Sequence, residues 1–497
     1  MSKRLEYLFG KYIVENPIKV IFTIILLLSY PIANVKNITF DTSNEGFLHK
    51  SDPILKDYNS FREQFGRDDR VVIAIESDKI FTIPFLEKLR RLHIELEDNL
   101  PYLDEVTSLY NVRNTRGERN QLIVEDLLEK FPKDNGDLER LREIVKGSEF
   151  YRNLFISEDL KLTTIIIETK AFISEDTESL DELLDGFSDT SSKGSKATPL
   201  TDEQNSEIVE KIREIVSKYS SSDFRIYYAG SPSVLDALKK MMRADMQKFT
   251  KITILIIVIS LFLIFRRVSA TIYPIVIIVL SLLTTVGLMA IYSVPFKLPT
   301  QILPSLLIAV SIGATMHVLT IFFDRFNRGG DKREALIYTI SHSGLAIAMT
   351  SITTAIGIGS FAGSEVAPIA DMGLFASFGV IISLILTLTL LPALLILTRL
   401  KAKPIQESGR LDSLMKRLAY IPSHYSKEII YISSTLVVVA IIIGSKLETS
   451  HYPLEWFPKD DPNYIGTKYI DAKMRGSLTA EVIIDTGEEN GWQDANR

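Results

Sequence analysis

Charged side chains are missing from two long stretches of this chain, and no other feature limits its folding so strongly. Between Ile252 and Phe323 only Arg266, Arg267 and Lys297 carry charge, and between Ser343 and Thr398 only Glu365 and Asp371. Stretches this depleted are read as membrane spans, since about 20 apolar residues wound as a helix cross ~30 Å of hydrocarbon. Seven apolar runs qualify: Val20–Ala33, Ile252–Phe265, Ala270–Tyr292, Leu298–Phe323, Ser343–Gly363, Ala367–Leu397 and Ile429–Gly444. A wholly soluble protein is excluded. The first run follows Lys3, Arg4, Lys11 and Lys19, a layout shared with signal peptides. Its length, and the return of the same organisation later in the chain, favour an uncleaved span.

Lys and Arg in the short loops orient the spans. One set of ends carries the N-terminal cations, Arg266–Arg267, then Arg325, Arg328, Lys332 and Arg333, then Arg399, Lys401, Lys403 and Arg410. The opposite short loops carry Lys297 or, around Ser364–Val366, none. The N-terminus is therefore read as cytoplasmic, with the large region after the first span and the C-terminal tail outside.

Composition closes off several functions. The 56 Lys and Arg against 62 Asp and Glu leave a net charge of −6 without a basic face, so no nucleic-acid partner is expected. Zero Cys excludes disulfides, thiol catalysis and Cys-ligated metals. No H-E-x-x-H, G-x-S-x-G or P-loop pattern occurs, so no enzyme, cofactor, metal site or ATP hydrolysis is expected.

The outer region, 36–248, reads as α+β. Val71–Ile75 is a buried strand, Phe85–Leu96 a helix, and Val106–Leu109 and Leu162–Ile167 further strands. Ser188–Thr201 has the composition of a flexible insertion. Ile208–Ile215 is helical, Phe224–Tyr228 a strand, and Asp236–Lys251 an amphipathic helix leading into the second span. This order suits a split βαβ, ferredoxin-like module.

An internal repeat is the second strong signal. Phe47-Leu48-His49-Lys50-Ser51-Asp52-Pro53 follows the first span, and Phe457-Pro458-Lys459-Asp460-Asp461-Pro462 follows the seventh. At nearly equal intervals come Gly66 and the run Val71–Glu76 in one copy, Gly476 and Val482–Asp485 in the other. The chain thus reads as one complete unit and the opening of a second, and a longer duplicated protein is expected. The divisions are 1–35 (cytoplasmic N-terminus and first span), 36–248, 249–400 (a five-span bundle), 401–427 (a cytoplasmic linker), 428–446 (the seventh span) and 447–497 (the start of a second outer domain).

With this plan, the stretches Ser311-Ile312-Gly313-Ala314-Thr315-Met316-His317, Arg325–Ala335, Ser351-Ile352-Thr353-Thr354-Ala355-Ile356-Gly357 and Pro368–Gly373 resemble the resistance–nodulation–division (RND) superfamily, in its MMPL and hopanoid-transporter-like branch. Tyr228-Ala229-Gly230-Ser231-Pro232 and Phe265-Arg266 also resemble family positions. The five-span block is similar to sterol-sensing domains. The resemblance implies a bacterial-type inner-membrane exporter of lipids or other hydrophobic small molecules, driven by the proton gradient. It implies a periplasmic porter domain between spans 1 and 2, and a second transporter half in cis or in trans, possible also as a homo-oligomer. It also implies an acid in the fourth span, where this chain has Ala314. That departure keeps a rival reading open, a lipid- or sterol-sensing-like regulator that binds without pumping.

The expected relay centres on His317, the ionisable group read as lying well inside a span, since an imidazole can titrate near neutral pH. Ser311 and Thr315 are its same-helix neighbours, and Thr353 and Thr354 could line a cavity facing it; helix packing is the plainer account of these hydroxyls. Asp371, at the outer end of the sixth span, and Asp245, on the helix entering the second, are secondary candidates. Interfacial solvation is the plainer account of both, as of Glu365.

Overall fold

The computed structural model describes residues 2–118, 121–173, 198–329, 331–402, 418–448, 452–477 and 482. The chain opens with α1 (Ser2–Glu15) and α2 (Pro17–Asn34), followed by α3 (Pro53–Phe65). Next come β1 (Arg70–Glu76), α4 (Ile83–Asn99), β2 (Leu103–Thr107), β3 (Arg113–Glu118), β4 (Gln121–Asp126) and α5 (Asn135–Gly147). After β5 (Leu162–Thr169), β6 (Phe172–Ile173) and β7 (Thr198–Pro199) stand α6 (Asp202–Ser217) and β8 (Arg225–Ala229). Long helices then dominate: α7 (Ser231–Phe265), α8 (Val268–Ile291), α9 (Leu303–Asn327), α10 (Lys332–Gly359), α11 (Ala367–Leu397) and α12 (Ser426–Gly444), with α13 (Pro462–Met474) last. Two compact units result, one of residues 1–39, 246–364 and 368–453, the other of 40–245, 365–367 and 454–497.

In the helical unit, seven helices among the described residues are long and apolar enough to cross a membrane, and they coincide with the seven apolar runs. α2 packs on α8, α8 on α9 and α9 on α10, around Ile277, Leu319, Phe322, Leu336 and Leu391. Small residues set the closest approach. At Gly287 the α8 backbone lies so near α2 that an added Cβ would meet the Pro31 carbonyl oxygen at 1.9 Å. The N-terminal segment forms a helix: α1 packs on α10, buries Ile13 and Val14, and sets Gly10 against Ile340. It breaks at Asn16, where Pro17 at the first position of α2 starts a new helix without needing a backbone donor.

In the α+β unit, four strands form an antiparallel sheet in the order β2-β5-β1-β8. β1 and β2 run parallel with β5 between them, and α4 crosses over, which is the split βαβ topology. Ile73 and Ile75 point into a core with Leu86, Leu89 and Leu92 of α4 and Ile208 and Ile212 of α6. Ala74, pointing the other way, is as fully buried. It packs with Leu162 and Ala229 against Ile470 and Met474 of α13. A sheet buried on both faces explains why Val71–Ile75 reads as an unbroken apolar run.

The repeat is visible as two matching helix starts. Asp52 Oδ1 accepts from the Ile54 N–H at 2.9 Å, with Pro53 at the first helical position. Asp461 Oδ1 accepts from the Asn463 N–H at 2.8 Å, with Pro462 in the same place. α13 lies on β8 at backbone contact, where a Cβ on Gly466 would meet the Tyr228 carbonyl oxygen at 2.4 Å. Ion pairs Lys473–Asp159, at 2.6 Å, and Arg475–Glu158, at 2.9 Å, flank it.

One strand boundary changes, and other elements were either not read from the sequence or lie largely outside the described residues. The strand read at Val106–Leu109 is Leu103–Thr107, and Leu109 lies beyond it in the core. The β3–β4 hairpin had no counterpart in the sequence reading, because Arg113–Asp126 alternates little and leaves Leu122 and Val124 exposed; α5 had none either, although Leu138, Leu141 and Val145 recur at helical spacing and are buried. The insertion Ser188–Thr201 lies outside the described residues up to 197, while Thr201 caps α6 in a capping box with Gln204. Of the strand read at Val482–Asp485, only Val482 is described.

Candidate functional site

The sequence brings five relay candidates to α9 and α10, and the fold divides them between two faces. Ser311 and Thr315, one helical turn apart, are fully buried. Ser383 of α11 donates to Ser311 Oγ at 2.7 Å, and Thr315 Oγ1 donates to the Ser311 and Ile312 carbonyls at 3.0 Å each. His317 stands about 200° around the helix from Thr315. It is exposed, on the side that also presents Gly313.

Thr353 is likewise exposed, and donates to its own helix at the Met349 carbonyl, 2.9 Å, and the Thr350 carbonyl, 3.0 Å. Thr354 donates to the Thr350 carbonyl at 2.7 Å. Among the described residues no hydrogen bond joins His317 to Thr353 or Thr354. Gly313 and Gly357 face open space, with nothing within 4 Å of an added Cβ. His317 is also not alone. α10 begins at Lys332, well before the apolar run read at Ser343, so His342 falls inside the fifth long helix, exposed and stacked on Tyr338 at 5.2 Å.

Two buried polar features escaped the sequence reading. The first pairs Lys297 with Asp371: Nζ donates to Oδ2 at 3.2 Å, and the lysine side chain is 11% exposed. The bond ties the α8–α9 loop to the second turn of α11. Asp371 is therefore an ion-paired group rather than one left to interfacial water. Thr300 organises the loop by accepting from the Lys297 N–H at 2.7 Å and donating to its carbonyl at 2.8 Å. The second feature is a set of hydroxyls at 0% exposure, Ser281 on α8 and Thr387 on α11, whose oxygens have no hydrogen-bond partner. Only proximity to charge-free spans could have hinted at either. Asp245 and Glu365 are exposed on the surface.

The α+β unit contributes a cavity of about 310 Å³ on the α13 side of its sheet. Val72, Ile166, Ile470 and Met474 give it an apolar wall, and Asp69 and Thr164 are among its polar residues. A second cavity in the same unit, of about 780 Å³, lies among the segment before α3, α3 itself and the start of α6.

These features can be set beside known proteins. The family model for MMPL matches residues 89–412. Over 404 residues the chain is 22% identical to a membrane protein of Methanocaldococcus jannaschii, covering 79% of this chain and 93% of that protein. Over 246 residues it is 23% identical to the membrane protein YdgH of Bacillus subtilis, covering 48% of this chain and 27% of that protein. With the family match spanning more than half of the chain, over most of its membrane-length helices, this is a multi-pass membrane protein and belongs to the MMPL family.

Proposed function

We propose that this chain works as an RND-like transporter, exporting lipids or other hydrophobic small molecules with the proton gradient as driving force. In this reading the N-terminus is cytoplasmic and the α+β unit is the periplasmic porter. One observation carries it: α7 runs without interruption for 35 residues, from the end of β8 into the second span. A continuous helix passes a displacement along its axis, which is what an exporter needs in order to convert events in the bundle into movement of its outer domain.

The exposed side of α9 and α10 supports a second half as partner, either further along the same chain or in another copy. Lipid-facing positions are usually apolar, whereas here His317, Thr353, Gly313 and Gly357 lie exposed. His317 would then carry protons at the junction between halves, closed off from lipid by the partner.

The test is reconstitution into liposomes with an imposed pH gradient and a fluorescent phospholipid. Wild type should move lipid only with the gradient, and His317→Ala should stop it. Unchanged transport in that variant would remove the relay role. Ala314, standing where the resemblance implies an acid, favours the second reading, a lipid-binding regulator. Lipid that binds without moving, with or without the gradient, would establish that alternative.

A further inference from the structure

The 780 Å³ cavity of the α+β unit is acidic in a way its own cations do not balance. Five carboxylates line it, those of Asp41, Glu45, Asp68, Asp69 and Asp202, against Lys50, Arg62 and Arg67. The two arginines are already committed, Arg62 to Glu45 at 3.0 Å and Arg67 to Asp69 at 3.2 Å. The other three acids are held by neutral donors. Asp41 Oδ1 accepts from Ser43 Oγ at 2.6 Å, and Asp68 Oδ1 from Tyr58 Oη at 2.6 Å. Asp202 Oδ2 accepts from the Thr42 N–H at 2.8 Å and Thr42 Oγ1 at 3.0 Å. Neutral donors fix a carboxylate in place and leave its charge standing.

An independent feature points to an absent ligand. Asn205 lines the same cavity at 6% exposure; its Nδ2 donates to the Pro232 carbonyl at 3.2 Å, while Oδ1 has no partner. Buried acceptors are rarely left unpaired. A small metal ion does not fit, because among the described residues no three acids or histidines converge closely enough to hold one. The space is large, and Leu48, Ile54, Leu200 and Leu235 supply apolar wall.

We infer that this cavity binds an organic ammonium ion, its charge met by Asp41, Asp68 and Asp202 and its hydrocarbon part by the leucine walls. Burial raises the Asp202 and Glu45 carboxyls above the usual carboxylate range, a penalty that a bound cation relieves. The site is independent of whether the spans pump, so failure of the transport assay leaves it untouched.

Calorimetric titration of the full chain in a neutral detergent tests it, with butylammonium, whose N–H groups can donate to Asn205 Oδ1, as probe and butanesulfonate as the same tail carrying opposite charge. The cation should bind and the sulfonate should not, a comparison that needs no variant. Asp68→Asn and Asp202→Asn, which keep shape and remove charge, should each weaken binding about tenfold, equivalent to ~1.4 kcal/mol. Asp78→Asn, a fully exposed acid elsewhere on the unit, should leave it unchanged. Binding of both probes or of neither overturns the inference, as does equal weakening by Asp78→Asn.

Discussion

Gly287→Ala isolates the contact that sets the spacing of the first two packed spans. The added methyl would lie 1.9 Å from the Pro31 carbonyl oxygen, 2.4 Å from its carbon and 3.1 Å from the Pro31 Cα. Ordinary contact lies at about 3.5 Å or beyond, so α2 and α8 must separate by roughly 1.5 Å. All the crowded atoms are backbone, and no side chain can swing aside. Overpacking of this kind costs ~1–3 kcal/mol, against which the better helix propensity of Ala returns up to ~1 kcal/mol. Gly357→Ala is the matched control, since it brings the same propensity gain with nothing within 4 Å of the new atom. The clash alone should therefore separate the two variants by about 1–3 kcal/mol, with Gly287→Ala the less stable. Unfolding in mixed micelles by titrated SDS, followed by far-UV circular dichroism, reads the difference. Equal midpoints would show that α2 does not lie against Gly287.

Two further outcomes follow from buried groups. His93, 1% exposed, has its Nδ1 3.0 Å from Ser108 Oγ, and burial holds the imidazole down at about 4. Unfolded, it would titrate near 6.5, so the unfolded chain takes up the proton first. Stability of the α+β unit is then whole above pH ~6.5 and falls as pH drops toward 4, by at most ~3 kcal/mol. Amide-exchange protection of β1 and α4 should show this loss, and His93→Gln should flatten it. In the helical unit, Lys297→Met leaves the Asp371 carboxylate without its cation and should destabilise by about 1–3 kcal/mol. Adding Asp371→Asn should restore most of that loss, and a double-mutant cycle in the same micelle assay measures the coupling.

Much of the architecture is legible in local pattern. Hydropathy locates all seven long helices, because crossing hydrocarbon requires a run of apolar residues whatever they later pack against. Phe85–Leu96 becomes α4 because its apolar residues recur at helical spacing, and Val71–Ile75 becomes β1 as a short, unbroken, β-branched apolar run. The Asp-Pro pair of each repeat, read from the sequence only as a repeat, caps and opens a helix through contacts between neighbours in sequence. What escaped divides in two: α5 carries a helical period at Leu138, Leu141 and Val145 that went unread, while other elements depend on their contacts. α1 is held by contact with α10, and the β3–β4 hairpin by a ladder between two polar strands.

The candidate site divides along the same line. Sequence by itself determined which residues in the spans can ionise or donate, among them His317, Ser311, Thr315, Thr353 and Thr354, because side-chain chemistry belongs to the residue. Only tertiary structure decided that Ser311 and Thr315 are buried, Ser311 against Ser383, while His317 turns out, since the face a helix buries depends on its neighbours. The Lys297–Asp371 pair joins positions 74 residues apart, and Ile470 covers Ala74 across nearly the whole chain. Such pairings are won by packing, because a hydrophobic face or a lone charge specifies that it needs a partner and says nothing of which one.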